Sequence, residues 1–160
     1  MTRTVGFVSE KGGVGKTTAC YHIAVALHRF HGNRLLVVDG DYQRGGISGR
    51  FFPDIIETFG GGAISGITLF HKFQQLYSAV PVTSEIDIRP WNDEIDVIVA
   101  DPRLATVSVD KLPSTNNIRE NNRQLLRHLG VIREVLKALE DRYDYILIDS
   151  HPEVTNGTYL

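Results

Sequence analysis

The residues best equipped for chemistry stand together in one stretch of eight. Lys11-Gly12-Gly13-Val14-Gly15-Lys16-Thr17-Thr18 combines three glycines, two lysines and two hydroxyls between a short β-branched apolar run and a segment of helical apolar spacing. Backbone N–H groups of a Gly-rich turn can converge on phosphate oxygens, and glycine permits both the dihedrals and the close approach. A helix N-terminus adds unpaired N–H donors and the positive end of its dipole. Lys16 can then reach the β and γ phosphates of a nucleotide, and the Thr17 hydroxyl can ligate Mg²⁺. The strict pattern G-x-x-x-x-G-K-[ST] fails at one place, where Glu10 stands for the first glycine.

Three acids have the right placement to serve such a loop. Asp39 closes the apolar run Leu35–Val38, Asp149 closes the run Tyr145–Ile148, and Asp41 follows two residues after Asp39. An acid at the carboxyl end of a buried parallel strand faces the ligand crevice of an open α/β sheet. Mg²⁺ keeps several waters and favours carboxylates that hold them. Phosphoryl transfer needs an in-line water and charge neutralisation more than covalent chemistry. An aspartate after a strand is also a common turn residue; the neighbouring phosphate loop is what favours the functional reading.

The elements that must position these groups follow from periodicity. Thr4–Ser9 reads as a strand, Lys11–Gly15 as a loop and Thr17–His31 as a helix, with Ile23, Ala24, Ala26, Leu27 and Phe30 at helical spacing and Gly32-Asn33 as the stop. With Leu35–Val38 these form a βαβ unit with parallel strands. Residues 45–66 read as a Gly-rich loop with short helical pieces, and residues 67–80 as a helix. Ile86–Ile88 and Val97–Ala100 are strand candidates. Asn117–Glu140 is predicted as one long helix, capped by Asn117 with Glu120, whose Leu125, Leu129, Ile132, Leu136 and Leu139 would cover the sheet. The fold class expected is α/β, a P-loop NTPase with a mostly parallel sheet flanked by helices. The chain is read as one domain over residues 1–160, the N-terminal part of a longer family domain truncated after a strand–acid junction.

Lys11–Thr18 resembles the deviant Walker A motif of the ParA/Soj/MinD ATPases, whose signature is the extra lysine before the glycines. Asp39-Gly40-Asp41-Tyr42-Gln43, followed by Ser48-Gly49, is similar to that family's D-x-D-P-Q switch segment. Tyr143–Asp149 is similar to its Walker B strand. The resemblance implies that Lys11, Gly12, Gly13, Val14, Gly15, Lys16, Thr17 and Thr18 bind ATP, with Thr18 near the α phosphate. It implies Thr17 on the metal, Asp39 and Asp149 acting on Mg²⁺ through its waters, and Lys11, Lys16 and Asp41 as catalytic residues. Lys11 would reach across an ATP-bound homodimer, and Asp41 would orient the attacking water. Slow hydrolysis, a ParB-like partner and non-specific DNA binding through chain beyond Leu160 also follow, for plasmid or chromosome partition. The same Walker set occurs in MinD-like membrane-cycling regulators and in phosphotransferases resembling bacterial tyrosine kinases. Tyr42, Arg44-Gly45 and Ser150-His151-Pro152 depart from the family pattern, all in the switch regions.

Composition sets outer bounds. A 160-residue chain can bury one real core, and 42% apolar with 22% charged residues leaves no biased tract. A net charge of −2 gives bulk charge no role in binding nucleic acid or an anionic membrane. Cys20 is the single cysteine, which excludes an internal disulfide and fits a reducing, cytoplasmic setting. No apolar run reaches the about 18 residues of a transmembrane segment. Arg119, Arg123 and Arg127 form a basic stripe read as a solvated face, and His28 and His31 lack a third metal ligand.

Overall fold

The computed structural model describes residues 1–9, 11–43, 46–55, 64–108, 111–112 and 115–150. The apolar runs become strands of one five-stranded sheet among these residues. They are β1 (Arg3–Phe7), β2 (Leu35–Asp39), β3 (Arg89–Pro90), β4 (Ile95–Ile98) and β5 (Tyr145–Asp149), in the spatial order β1-β5-β2-β4-β3. β1, β5, β2 and β4 are mutually parallel; β3 joins β4 antiparallel at the far edge.

Alternation along β2 and β5 explains the layering. Leu36, Val38, Ile146 and Ile148 point to one face, into a core with Leu69, Phe73, Ile132 and Leu136. Leu35, Val37 and Leu147 point to the other, against Cys20, Ala24, Ile47 and Phe51. The second face is covered by α1 (Lys16–His31) and α2 (Ile47–Phe51), the first by α3 (Leu69–Tyr77) and α5 (Val131–Lys137). A parallel strand buried on both faces reads as a continuous apolar run, as Leu35–Val38 does. β1 is the exception: it lies at the sheet edge and its first four residues are exposed.

Two expectations are corrected. Ile86–Ile88 is not a strand; Ile86 and Ile88 pack singly against the core, and the two-residue edge strand comes just after, at Arg89–Pro90. The long helix over Asn117–Glu140 is two helices, α4 (Ile118–Leu129) and α5, broken at Gly130, with a 3₁₀ turn at Glu140–Arg142. Glycine is a poor helix interior residue, and here a Cβ would stand only 3.2 Å from the Leu126 carbonyl. The break rotates the apolar stripe apart. Ile132, Leu136 and Leu139 are buried, but Leu125 is 39% exposed and Leu126 69%. The residue α4 buries is His128, which stacks on Tyr77 and meets Phe73. The Asn117 cap forms, with its side chain accepting from the Arg119 and Glu120 N–H groups. Glu120 does not reciprocate; it accepts from Gln124, and Thr115 takes the Asn117 N–H.

Candidate functional site

The loop after β1 gets its shape from glycine. Gly13 (φ 73°) and Gly15 (φ 91°) both occupy the left-handed region, and Gly15 is the N-cap of α1. A side chain at either place would strain the backbone. The loop lines a cavity of about 300 Å³ together with the segment that follows β2. Gly12, Gly13, Gly15, Lys16, Thr17 and Thr18 form one wall; Asp41, Gln43, Gly46 and Arg50 form the other. Lys11 and Val14 are exposed and do not line it. The Lys11 N–H instead closes a small turn onto the Ser9 hydroxyl. Glu10, Arg44, Gly45, His151 and Pro152 lie outside the described residues.

The strand-end acids differ in their surroundings. Asp149 is wholly buried, and among the described residues neither carboxylate oxygen meets a donor in full hydrogen-bond geometry, although the Thr17 hydroxyl is near enough to favour the ionised form. Burial pushes its pKa up to about 6; the approach of the Thr17 hydroxyl opposes this, the Asp41 charge adds to it, and Lys16 and Arg50 pull it down. A buried carboxylate is costly unless something cationic answers it. Thr17, Lys16 and Arg50 are the groups that favour its ionised form.

Asp39 is equally buried but fully engaged. Its Oδ1 accepts from the Asp41 N–H at 3.0 Å, and its Oδ2 accepts from the Ser48 N–H at 2.8 Å and the Ser48 hydroxyl at 2.6 Å. Burial, with the Asp149 charge adding to it, lifts its pKa to about 7 against these bonds. The Ser48 hydroxyl oxygen also accepts from the Ala100 N–H at 2.9 Å, which ties the segment after β2 to the end of β4. Asp41, itself buried, accepts from the Gln43 N–H. Asp39 thus anchors the segment that presents Asp41 and Gln43 to the cavity.

Two groups escape a reading by motif. Asp101 follows the apolar run Val97–Ala100 as Asp39 follows the run Leu35–Val38, so the strand-end rule applies to it as well. It is spent on structure, paired with Arg103 at 2.7 Å and accepting the Thr68 hydroxyl at 2.6 Å. Burial raises its pKa, but these bonds outweigh it and the net shift is downward. Arg50 reaches from α2 to the Thr18 hydroxyl at 3.1 Å; no local pattern announces it. Cys20 lies beneath the acids, wholly buried, and burial first, then the Asp149 and Asp39 charges, drive its thiol pKa up, so it is an inert packing group. Among the described residues no cluster of metal-ligating side chains is present, and no helix is long and apolar enough to cross a membrane.

A Gly-rich loop between a parallel strand and a helix, with Lys16-Thr17 at the helix start and acids at the ends of adjacent strands, defines a P-loop nucleotide-binding protein of the α/β class. The chain belongs to the AAA_31 family (AAA domain), which it matches over residues 2–159, and it is of the ParA/Soj type within the P-loop ATPases. It is similar to a ParA family protein of Chlamydia pneumoniae, 28% identical over 158 residues, covering 95% of this chain and 51% of the relative. It is similar to the sporulation initiation inhibitor protein Soj of Bacillus subtilis, 28% identical over 157 residues, covering 96% and 51%. A plasmid partition protein from Borrelia burgdorferi superposes with a TM-score of 0.61 at 26% identity, covering 97% of this chain and 58% of that one. The chain spans about half the length of the curated relatives it matches.

Proposed function

We propose that residues 1–160 form the nucleotide-binding part of a ParA-like ATPase that binds MgATP, hydrolyses it slowly and uses the nucleotide to switch a homodimer on and off in DNA partition. The observation that carries this reading is Asp149: a buried carboxylate that among the described residues accepts no full hydrogen bond and has the Thr17 hydroxyl and the Lys16 charge, at the start of α1, beside it. Lys16 would hold the outer phosphates, and Thr17, Asp149 and Asp39 would hold the metal, the two acids through its waters. Bound Mg²⁺ supplies charge neutralisation at the transferring phosphate. Asp41 lines the same cavity and orients the attacking water; its backbone is fixed by Asp39. Lys11 is exposed outside the cavity, which suits a residue that acts on the nucleotide of a second copy. A ParB-like partner would stimulate hydrolysis in a cytoplasmic cycle. The solved Borrelia relative is a plasmid partition protein, which supports partition over other uses of this site.

The test is binding of the full chain to random-sequence DNA, with and without ATP, across a salt series. Binding that requires ATP and weakens steeply with salt, as phosphate contacts must, supports partition. ATP-dependent dimers that ignore DNA overturn it and favour a membrane-cycling regulator.

A further inference from the structure

The arginines of the described chain divide into those with an acid and those without. Arg89 pairs with Asp54 and Arg103 with Asp101. Arg50 projects from α2 into the wall of the nucleotide cavity, yet among the described residues it has no ion pair. Its hydrogen-bond partner there is a neutral hydroxyl, that of Thr18. A guanidinium carries five donors in a rigid fork suited to carboxylate and phosphate oxygens. A single bond to a hydroxyl leaves most of that fork turned to the cavity.

The location narrows what the fork would meet. Thr18 is the third residue of α1, past the Lys16-Thr17 pair that serves the outer phosphates and metal. Arg50 approaches from the opposite wall, after the Asp39–Ser48 bonds have fixed the start of α2. Its positive charge is close enough to Asp149 to favour the ionised carboxylate there. With the outer phosphates at Lys16-Thr17, a cation at Thr18 would meet the inner end of a phosphate chain and supplement Lys16 from a different element.

We propose that Arg50 is a nucleotide-positioning residue that grips the α-phosphate end of the bound nucleotide, using Thr18 as its rest when the site is empty. This rests on the nucleotide-site reading above. Because the α phosphate is common to ADP and ATP, Arg50 strengthens both complexes alike and adds nothing that grows in the transition state. Uniform binding of that kind lowers the dissociation constants of both nucleotides by a similar factor.

The experiment is calorimetric titration of the full chain with MgADP and with MgAMPPNP, for wild type, Lys16→Ala, Arg50→Met and Arg50→Lys. Arg50→Met keeps the apolar stem and removes the charge, and thermal unfolding of the nucleotide-free variants checks the fold. Arg50→Met should weaken both nucleotides by a similar factor of about tenfold, the scale of a lost charge-assisted hydrogen bond. Arg50→Lys should recover part of the loss. Unchanged affinity in Arg50→Met overturns the proposal, as does a loss confined to MgAMPPNP, which would place Arg50 on the γ phosphate. A drop in melting temperature that accounts for the affinity loss, with no recovery in Arg50→Lys, also overturns it by making the arginine structural. Failure of wild type to bind either nucleotide, or full binding by Lys16→Ala, would instead sink the nucleotide-site reading itself.

Discussion

Asp39 and Asp149 face each other as register partners on the adjacent parallel strands β2 and β5. Both are wholly buried, but among the described residues Asp39 accepts three full hydrogen bonds while Asp149 has only the nearby Thr17 hydroxyl. One acid builds the site and the other is left for what enters it.

Nucleotide-free stability should depend on pH through this pair. Burial raises Asp149 from its ordinary 3.8 to about 6 and Asp39 to about 7. Between about pH 4 and pH 7 the native state therefore binds more protons than the unfolded chain, and stability falls as pH rises through that window. Asp149→Asn should remove much of the penalty, gaining up to about 3 kcal/mol at neutral pH and nothing below about pH 4. Urea unfolding from pH 4 to 7.5 measures this; parallel curves for variant and wild type would show that Asp149 titrates normally. The same variant should lose MgATP hydrolysis.

Ser48→Ala removes two bonds at once. Asp39 loses its shortest donor, and the Ala100 N–H is left buried without its acceptor. The expected cost is about 2–3 kcal/mol, read as a shift in the urea midpoint with unchanged slope. A cost near zero would mean that water replaces the hydroxyl.

Lys11→Ala should leave nucleotide affinity within about twofold, since the side chain stands outside the cavity. ATP-dependent dimers and hydrolysis should both disappear. Sedimentation with MgAMPPNP and a phosphate-release assay read the two effects; a variant that dimerises and turns over normally removes the in-trans role.

Ala79, just past α3, is the one non-glycine residue among those described with positive φ, at 56°. An L side chain in the left-handed region costs about 1–2 kcal/mol. Ala79→Gly should recover on the order of 0.5–1 kcal/mol once glycine's greater unfolded-state entropy is offset, visible as a raised melting temperature without change in nucleotide affinity.

The parts of the fold that the sequence made legible are those whose cause is local. Leu35–Val38 and Tyr145–Ile148 are apolar without interruption because their strands are buried on both faces. The phosphate loop declares itself because only glycine tolerates the dihedrals of Gly13 and Gly15. The division at Gly130 was obscured by an apolar repeat that runs through it unbroken; the repeat carries no signal that its two halves face different ways. Ile86–Ile88 misled because isolated apolar side chains can pack against a core without pairing as a strand. Arg50 and Thr18 are 32 residues apart, and nothing in either neighbourhood points to the other. The same holds for Ser48 and Ala100, joined only by the packing of α2 against the sheet.

That last link has a kinetic meaning. The Ala100 amide proton is held by a serine oxygen whose own proton is given to Asp39. It can exchange with solvent only when the serine lets go. Deuterium uptake at this one amide is therefore a clock for the opening of the segment that carries Asp41, readable from a strand end that does not itself line the cavity.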